Sequence, residues 1–293
     1  MNIVFIGAVK FSKSCLEKLI EINFPPVAVC TLEISKSNAD HSDLTNLCNE
    51  NNIPVKYTSD INSKESYYWI QSYAPDVIFC FGWSRLIKEE LLNLPHLGVI
   101  GYHPAPLPKN RGRHPLIWSL VLGLDKTAST FFFMDSGADS GDILSQKEVL
   151  INLKDNAESL YKKITHVALK QLEEFVPSLG VGDFTRIAQE NNNSNTWRKR
   201  NEEDGRIDWR MSAESIQNLV RGLSHPYVGA HFNFFEKKII VWKTKLVYNS
   251  KKNIEPGKII SLDIDGPIIM TGENAIQLLE IEPLLDLTEG NYL

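Results

Sequence analysis

Three features of the sequence predict the fold class. Short apolar runs alternate with amphipathic helical segments from Asn2 to Phe175. A polar stretch, QENNNSN, interrupts that texture at residues 189–195. After Tyr227 the chain consists of turn-separated β runs. The expectation is an α/β fold: a Rossmann-like, doubly wound, mostly parallel sheet, followed by a small OB-like all-β domain at the C-terminal end.

The elements follow in order. NIVFIG (2–7) and PVAVCTL (26–32) are strand-length apolar runs, with helical spacing between them at Cys15, Leu16, Leu19 and Ile20, capped by Ser12 or Ser14. Residues 42–50 suit a helix, 53–55 a short extended piece and 64–73 a helix. DVIFCF (76–81) is the third buried strand, 88–92 a helix, and GVIG (98–101) the start of a fourth strand. A helix at 115–122, a strand at 128–134, a strand at 142–149 and a long helix at 158–175 complete the first part. A helix over 212–223 precedes the β runs HFNFF, KIIVWKTKLV, GKIISLDIDG, PIIMTG and AIQLLEIEP. The domain boundaries read as a catalytic domain over 1–185, a linker over 186–203 and a helix plus β domain over 204–293.

Composition narrows the function class. The chain has 293 residues, 43% apolar and 23% charged, with a net charge of −5. That is a globular composition without the basic balance of a nucleic-acid binder. The N-terminal stretch reads as a strand rather than a signal peptide, and no apolar run reaches membrane-spanning length, so a cytoplasmic protein without a membrane partner is expected. The cysteines at 15, 30, 48 and 80 form no CxxC pair, so no metal site is expected.

In a doubly wound sheet, ligands bind at the carboxyl ends of the strands. His103 sits at such an end, followed by Pro104, Pro106 and Pro108, which restrict the loop, and by Arg111 and Arg113, which add charge for a phosphate-bearing ligand. A histidine there can move a proton near neutral pH; it can equally close a strand as a structural residue. MDSGADSGDIL (134–144) follows a second apolar strand and carries Asp135, Asp139 and Asp142. A carboxylate beside an imidazole orients it; the alternative is a solvated turn, and the spacing fails the EF-hand pattern.

GYHPAPLPKNRGRHPLIW, followed by TASTFFFMDSGADSGDIL, resembles the formyltransferases that use 10-formyltetrahydrofolate. That family includes enzymes acting on methionyl-tRNA, on glycinamide ribonucleotide and on nucleotide-linked amino sugars. The late segments RNEEDGRIDW and EPGKIISL resemble the second domain of its longer members. The resemblance implies direct formyl transfer to an amine, with His103 assisting proton removal and Asp139 supporting it; DSGDI makes Asp139 the match, 36 positions beyond His103 (139 − 103). It implies N10-formyltetrahydrofolate as formyl donor, held around Phe81, Arg85, Leu86, Ile87 and Asp139. The family's Asn-x-His has an asparagine that stabilises the oxyanion; here that position is Gly101. His103 itself, a backbone amide, Tyr102, Asn110 or water is left for that role.

The acceptor follows from what the chain lacks. Thr31–Leu44 is short and holds one lysine, Lys36, where the tRNA-acting members carry a basic insertion. RGRHP also resembles sugar-acting members. The expected substrate is a UDP- or dTDP-linked dideoxy amino sugar destined for a surface polysaccharide such as lipopolysaccharide O-antigen, with no nucleic-acid partner. Lys10, Tyr102, Arg111, Arg113, His114, Trp197 and Tyr227 are candidates for binding it, with Phe232 as another stacking surface and WRKR (197–200) as a phosphate site or a solvated hinge. The expected assembly, if any, is a homodimer. Initiator methionyl-tRNA is the alternative acceptor, and a catalytically inactive folate or nucleotide-sugar binding module is the alternative of another class.

Overall fold

A computed structural model describes residues 1–35, 40–249 and 253–293. Contacts divide the chain into two compact units. The first comprises Met1–Gly112, Thr127–Val149 and Lys162–Trp197; the second comprises Arg113–Lys126, Leu150–Tyr161 and Arg198–Leu293. Two short stretches that are flanked in sequence by the first unit therefore belong to the second.

The first unit is built on a seven-stranded sheet. Its strands are β1 (Ile3–Ile6), β2 (Ala28–Thr31), β3 (Val55–Tyr57), β4 (Val77–Cys80), β5 (Val99–His103), β7 (Lys126–Phe133) and β8 (Ile143–Leu150), in the order β3-β2-β1-β4-β5-β7-β8. β1 to β5 run parallel, and β7 is antiparallel to β5. The continuous apolar runs of β1, β2 and β4 are wholly buried, as strands covered on both faces must be. Helices α1 (Lys10–Glu21), α2 (Thr45–Glu50), α3 (Lys64–Gln71), α4 (Glu89–Leu92) and α6 (Ala157–Gly180, whose first turn lies in the second unit) are the remaining large elements.

The two faces of the sheet carry different cores. Val4, Ile6, Cys30, Ile78 and Val99 pack with Ile70, Ile87 and Leu91. On the other face, Phe5, Phe79, Phe81, Phe131 and Phe175 form a chain of ring contacts with centroids 4.9–6.3 Å apart. Helix α1 starts two residues before the expected cap. Ser12 lies inside it, and its hydroxyl donates to the Phe81 carbonyl (2.6 Å) while accepting from the Val9 N–H. A serine that links a helix to a neighbouring strand end this way has no need to stand at the helix boundary.

The second unit contains α5 (Pro115–Val121), α7 (Ala213–Leu223) and a five-stranded antiparallel sheet. Its strands are β10 (Ala230–Phe234), β11 (Lys237–Val247), β12 (Ile259–Asp263), β13 (Gly266–Met270) and β14 (Ala275–Glu282), in the order β10-β11-β14-β13-β12. Ser212 caps α7 by accepting from the Ser215 N–H (3.1 Å). Ile216, Leu219, Val220 and Leu223 of α7 pack on Phe232, Ile239, Val241, Ile269 and Ile276.

A small two-stranded sheet completes the first unit. β6 (Arg111–Gly112) pairs in parallel with β9 (Thr196–Trp197). The polar stretch at 189–195, expected as a linker without packing, thus ends in a strand laid against the arginine–glycine step.

Candidate active site

His103 is the last residue of β5 rather than the first of the loop, and it is 5% exposed. It shares one face of the sheet with Val99 and Gly101, because side chains alternate along a strand. The loop that follows is held by its carbonyls. The Thr127 hydroxyl donates to Pro104 O (3.1 Å), the Thr130 hydroxyl to Ala105 O (2.7 Å) and the Gln146 amide to Leu107 O (2.9 Å). Side chains from β7 and β8 thus fix the loop, along with its prolines.

The imidazole is held at Nε2. Nε2 lies 2.8 Å from the Asn110 carbonyl oxygen, which has no proton to give. That bond requires the proton on Nε2 and leaves Nδ1 as the basic nitrogen. Nδ1 lies 3.6 Å from Asp139 Oδ2. At that distance the carboxylate faces Nδ1 without a hydrogen bond to it.

Asp139 is itself held in place. Its Oδ2 accepts the Gly112 N–H at 2.9 Å, and its backbone has φ +56°, a conformation that Asp and Asn tolerate best among residues with a side chain. Gly112 has φ +99°, and a Cβ there would run into the Trp197 carbonyl, so only glycine fits. Asp135 serves the loop instead. Its Oδ1 accepts from Gly137 N–H (2.9 Å) and from the Ser140 hydroxyl (2.8 Å). Of the three aspartates, Asp139 is the one beside His103.

Two residues not anticipated from the sequence organise this arrangement. The Gln189 amide donates to Asp139 O (2.9 Å) and Gly141 O (2.6 Å), while its oxygen accepts from Arg111 (2.7 Å to Nη2). Asn195 Oδ1 accepts the Asn110 N–H (2.8 Å). Both come from the polar stretch, whose composition signals only a lack of apolar packing.

The structure corrects several expected roles. Arg111 is buried, with its guanidinium on Gln189 and on Asn191 Oδ1 (3.1 Å), so it braces the loop rather than offering charge to a phosphate. Tyr102 points to the opposite face from His103. It stacks on Phe11 with centroids 4.2 Å apart, its hydroxyl meets Ser129 Oγ (3.0 Å), and burial pushes the phenol up. Tyr102 is therefore a core residue and supplies nothing to a ligand beside His103. Tyr227 and Phe232 pack into the core of the second unit, with Phe232 edge-on to Trp209. Trp197 is engaged in the β6–β9 pairing. Lys10 is exposed at the start of α1, and Arg113 is exposed beside the half-buried His114. Residue 36, the lysine noted in the Thr31–Leu44 segment, lies outside the described residues.

Gly101 sits where a side chain would be crowded. A Cβ there would lie 2.9 Å from Met134 Cγ and 3.1 Å from two ring carbons of Phe132. The space beside His103 is thus occupied by a thioether and an aromatic ring, in a small apolar cluster with Leu107 and Ile143.

The loop after β4 divides its residues. Phe81 and Ile87 are core residues, whereas Arg85 and Leu86 are exposed, Leu86 by 64%. Asn62 clamps the loop: its amide donates to Leu86 O (2.8 Å) and its oxygen accepts the Lys88 N–H (2.7 Å). The Trp83 indole N–H is buried without a hydrogen-bond partner. A cavity of 460 Å³ occurs in the second unit, lined by Arg206, Asp208, Trp209 and Arg210 among others. Of the residues considered for substrate binding, Phe232 lines it, whereas His103 and Asp139 do not. Among the described residues no group of three or more His, Cys, Asp or Glu is placed to hold a metal ion, and no helix is long and apolar enough to cross a membrane.

Residues 1–176 match the formyl transferase family, and residues 199–285 match the formyl transferase C-terminal domain. The chain is 36% identical over 241 residues to the bifunctional polymyxin resistance protein ArnA of Wigglesworthia glossinidia brevipalpis, covering 82% of this chain but only 36% of that longer protein. It is 32% identical over 286 residues to methionyl-tRNA formyltransferase of Clostridioides difficile, covering 96% of this chain and 92% of that one. The fold superposes on the N-formyltransferase of Helicobacter canadensis, solved with folinic acid and dTDP-3-aminofucose, with a TM-score of 0.72 at 16% identity, over 95% of this chain and 99% of that one. With its histidine–aspartate pair in place and both family domains matched along its length, the chain belongs to the formyl transferase family and is a formyl-transferring enzyme.

Proposed function

We propose that this enzyme transfers a formyl group from N10-formyltetrahydrofolate to the amine of a UDP- or dTDP-linked dideoxy amino sugar. The single observation that carries the acceptor class is charge: the chain is net −5 and the Thr31–Leu44 segment holds one lysine, too little cation to grip a nucleic-acid backbone. The full-length match to a methionyl-tRNA formyltransferase favours initiator methionyl-tRNA as the second reading.

The residues after β4 suit a folate. An exposed Leu86 offers an apolar wall, and the unpaired Trp83 N–H is a buried donor in the same loop. The donor supplies the formyl carbon that the acceptor amine attacks. His103 Nδ1 takes the proton that the amine loses and passes it to N10 as the bond between N10 and the formyl carbon breaks and tetrahydrofolate leaves, while Nε2–H stays on the Asn110 carbonyl and keeps the ring from rotating. Asp139 stabilises the imidazolium by its charge at 3.6 Å. Of the groups near the developing oxyanion, Tyr102 lies on the wrong face and the Asn110 N–H is held by Asn195. The imidazolium Nδ1–H, formed as the amine is deprotonated, is the donor this site retains.

The test is turnover. Purified enzyme is incubated with N10-formyltetrahydrofolate and a panel of UDP- and dTDP-linked amino sugars, and tetrahydrofolate release is followed. Formylation of a nucleotide sugar supports the proposal. Turnover confined to initiator methionyl-tRNA overturns the acceptor, and folate binding without turnover on any amine overturns the catalytic reading.

A further inference from the structure

Two acceptors face the single ring proton of neutral His103. The Asn110 carbonyl oxygen lies 2.8 Å from Nε2, and Asp139 Oδ2 lies 3.6 Å from Nδ1. At equal distance the carboxylate would be the stronger acceptor. A proton drawn onto Nδ1 would leave the lone pair on Nε2, turned toward a carbonyl that has no proton to give. Which nitrogen is basic therefore depends on the carbonyl staying close and the carboxylate staying back.

Asn195 holds the carbonyl. Asn110 has φ +63°, a left-handed conformation that asparagine tolerates and that its surroundings must fix. The Asn195 Oδ1 accepts the Asn110 N–H (2.8 Å), and the Asn195 carbonyl accepts the Arg111 N–H (3.0 Å). The Arg111 N–H belongs to the same peptide unit as the Asn110 C=O. In a trans peptide the two point in opposite directions, so that unit is held between His103 on one side and Asn195 on the other. One residue thus grips the peptide planes on both sides of the Asn110 Cα, and the carbonyl cannot turn from the imidazole without breaking a bond to Asn195.

The same segment keeps the carboxylate back. Asp139 Oδ2 accepts the Gly112 N–H (2.9 Å), and Gly112 pairs with Trp197, two positions beyond Asn195. The Gln189 amide holds Asp139 O (2.9 Å) and Gly141 O (2.6 Å). All of these residues belong to the first unit.

We infer that Asn195 is a positioning residue: by clamping the Asn110–Arg111 peptide it keeps the ring proton of His103 on Nε2 and so makes Nδ1 the basic nitrogen. Its consequence for turnover rests on the reading of His103 as proton acceptor given above; its effect on the ring proton does not. Asn195 is exposed, so its replacement opens no core.

Imidazole nitrogen chemical shifts of the full chain, recorded with the ring neutral, distinguish a protonated ring nitrogen from one with a free lone pair. Wild type, N195A and N195D are compared, and H103A assigns the signal. Wild type is expected to carry the proton on Nε2. N195A is expected to move both nitrogens toward intermediate shifts, as the proton divides between Nε2 and Nδ1. Turnover is measured with N10-formyltetrahydrofolate and whichever of the dTDP- and UDP-linked amino sugars or initiator methionyl-tRNA the wild type formylates. N195A is expected to lose about 10–100-fold in kcat, with the KM for N10-formyltetrahydrofolate within about twofold of wild type. N195D keeps an oxygen for the Asn110 N–H and is expected to restore the wild-type tautomer and most of the turnover. A wild-type ring protonated on Nδ1 overturns the inference. So does an N195A ring still protonated on Nε2 alone, whatever its turnover, and so does a tautomer change that N195D fails to reverse. A shifted tautomer in N195A with unchanged kcat, or near-normal turnover in H103A, overturns His103 as proton acceptor and leaves the clamp standing.

Discussion

Gly101 offers the sharpest test of how this active site differs from its relatives' pattern. Installing asparagine there adds a Cβ 2.9 Å from Met134 Cγ and 3.1 Å from two Phe132 ring carbons, where carbon contacts are most favourable at about 3.5–4.0 Å. Met134 is unbranched and can swing away. Phe132 is 3% exposed on β7, which is paired on both sides by β5 and β8, and cannot. Forcing atoms into a packed site costs about 1–3 kcal/mol. At about 2–4 °C per kcal/mol for a unit of this size, G101N is expected to lower Tm by roughly 2–12 °C. Its kcat is expected to stay at or below wild type, because the displaced thioether moves on the His103 face. The companion is G101N/M134A, which removes the obstruction. If Met134 is what fills the space, thermal unfolding of the four proteins of the cycle gives a favourable coupling of about 0.5–3 kcal/mol. The double variant is expected to exceed wild type in formyl transfer, with a ceiling near the ~10²–10³ that one oxyanion donor contributes. A single G101N variant as stable as wild type and faster would refute the reasoning, since the space would have been open. A coupling near zero would show that Met134 is not the obstacle.

Other consequences can be measured directly. H103A is expected to lose about 10²–10⁴ in kcat with little change in Tm, as removal of a general base does; near-normal turnover would exclude Nδ1 as the proton acceptor. D139N keeps an acceptor for Gly112 N–H and tolerates φ +56°, so it should lose activity and retain Tm, whereas D139A should lose both; equal Tm values for the pair would contradict the bridging role. G112A places a methyl against the Trp197 carbonyl at φ +99° and should lower Tm by more than the few tenths of a kcal/mol typical of a surface change. Acid should weaken the second unit. Hydrogen bonds from Arg198 hold the Asp204 carboxyl well below its usual range, and those from Arg210 hold Asp208 at about 2. Depressed carboxyls bind fewer protons folded than unfolded, so their stabilisation is present above the unfolded value of about 3.9 and is lost as pH falls toward 2. D204N should lower Tm at pH 7 and flatten its decline between pH 4 and 2; a Tm difference independent of pH would count against this.

Periodicity was enough to read the strands of the two large sheets and the main helices, though not the short β6–β9 pair, because burial on one or two faces writes itself into spacing. The motif residues were legible too: His103 and Asp139 do meet, and Gly112 is glycine for a reason a backbone imposes. What periodicity missed were polar contacts between distant segments. Gln189 and Asn195 sit in a stretch that resembles any solvated linker, and their importance comes from partners 50 and 85 residues away. Asn62, clamping a loop 24 residues beyond it, is hidden in the same way.

The sequence by itself determined the two-part architecture, the family and the pairing of His103 with Asp139, since these rest on local pattern and on spaced motifs. The tertiary structure alone decided that Nδ1 is the basic nitrogen of His103, that Arg111 and Tyr102 brace and pack, and that Met134 and Phe132 occupy the space over Gly101. Each of those depends on which groups long loops bring within about 3–4 Å, and hydrogen bonds and packing fall off too steeply with distance for chain order to reveal them.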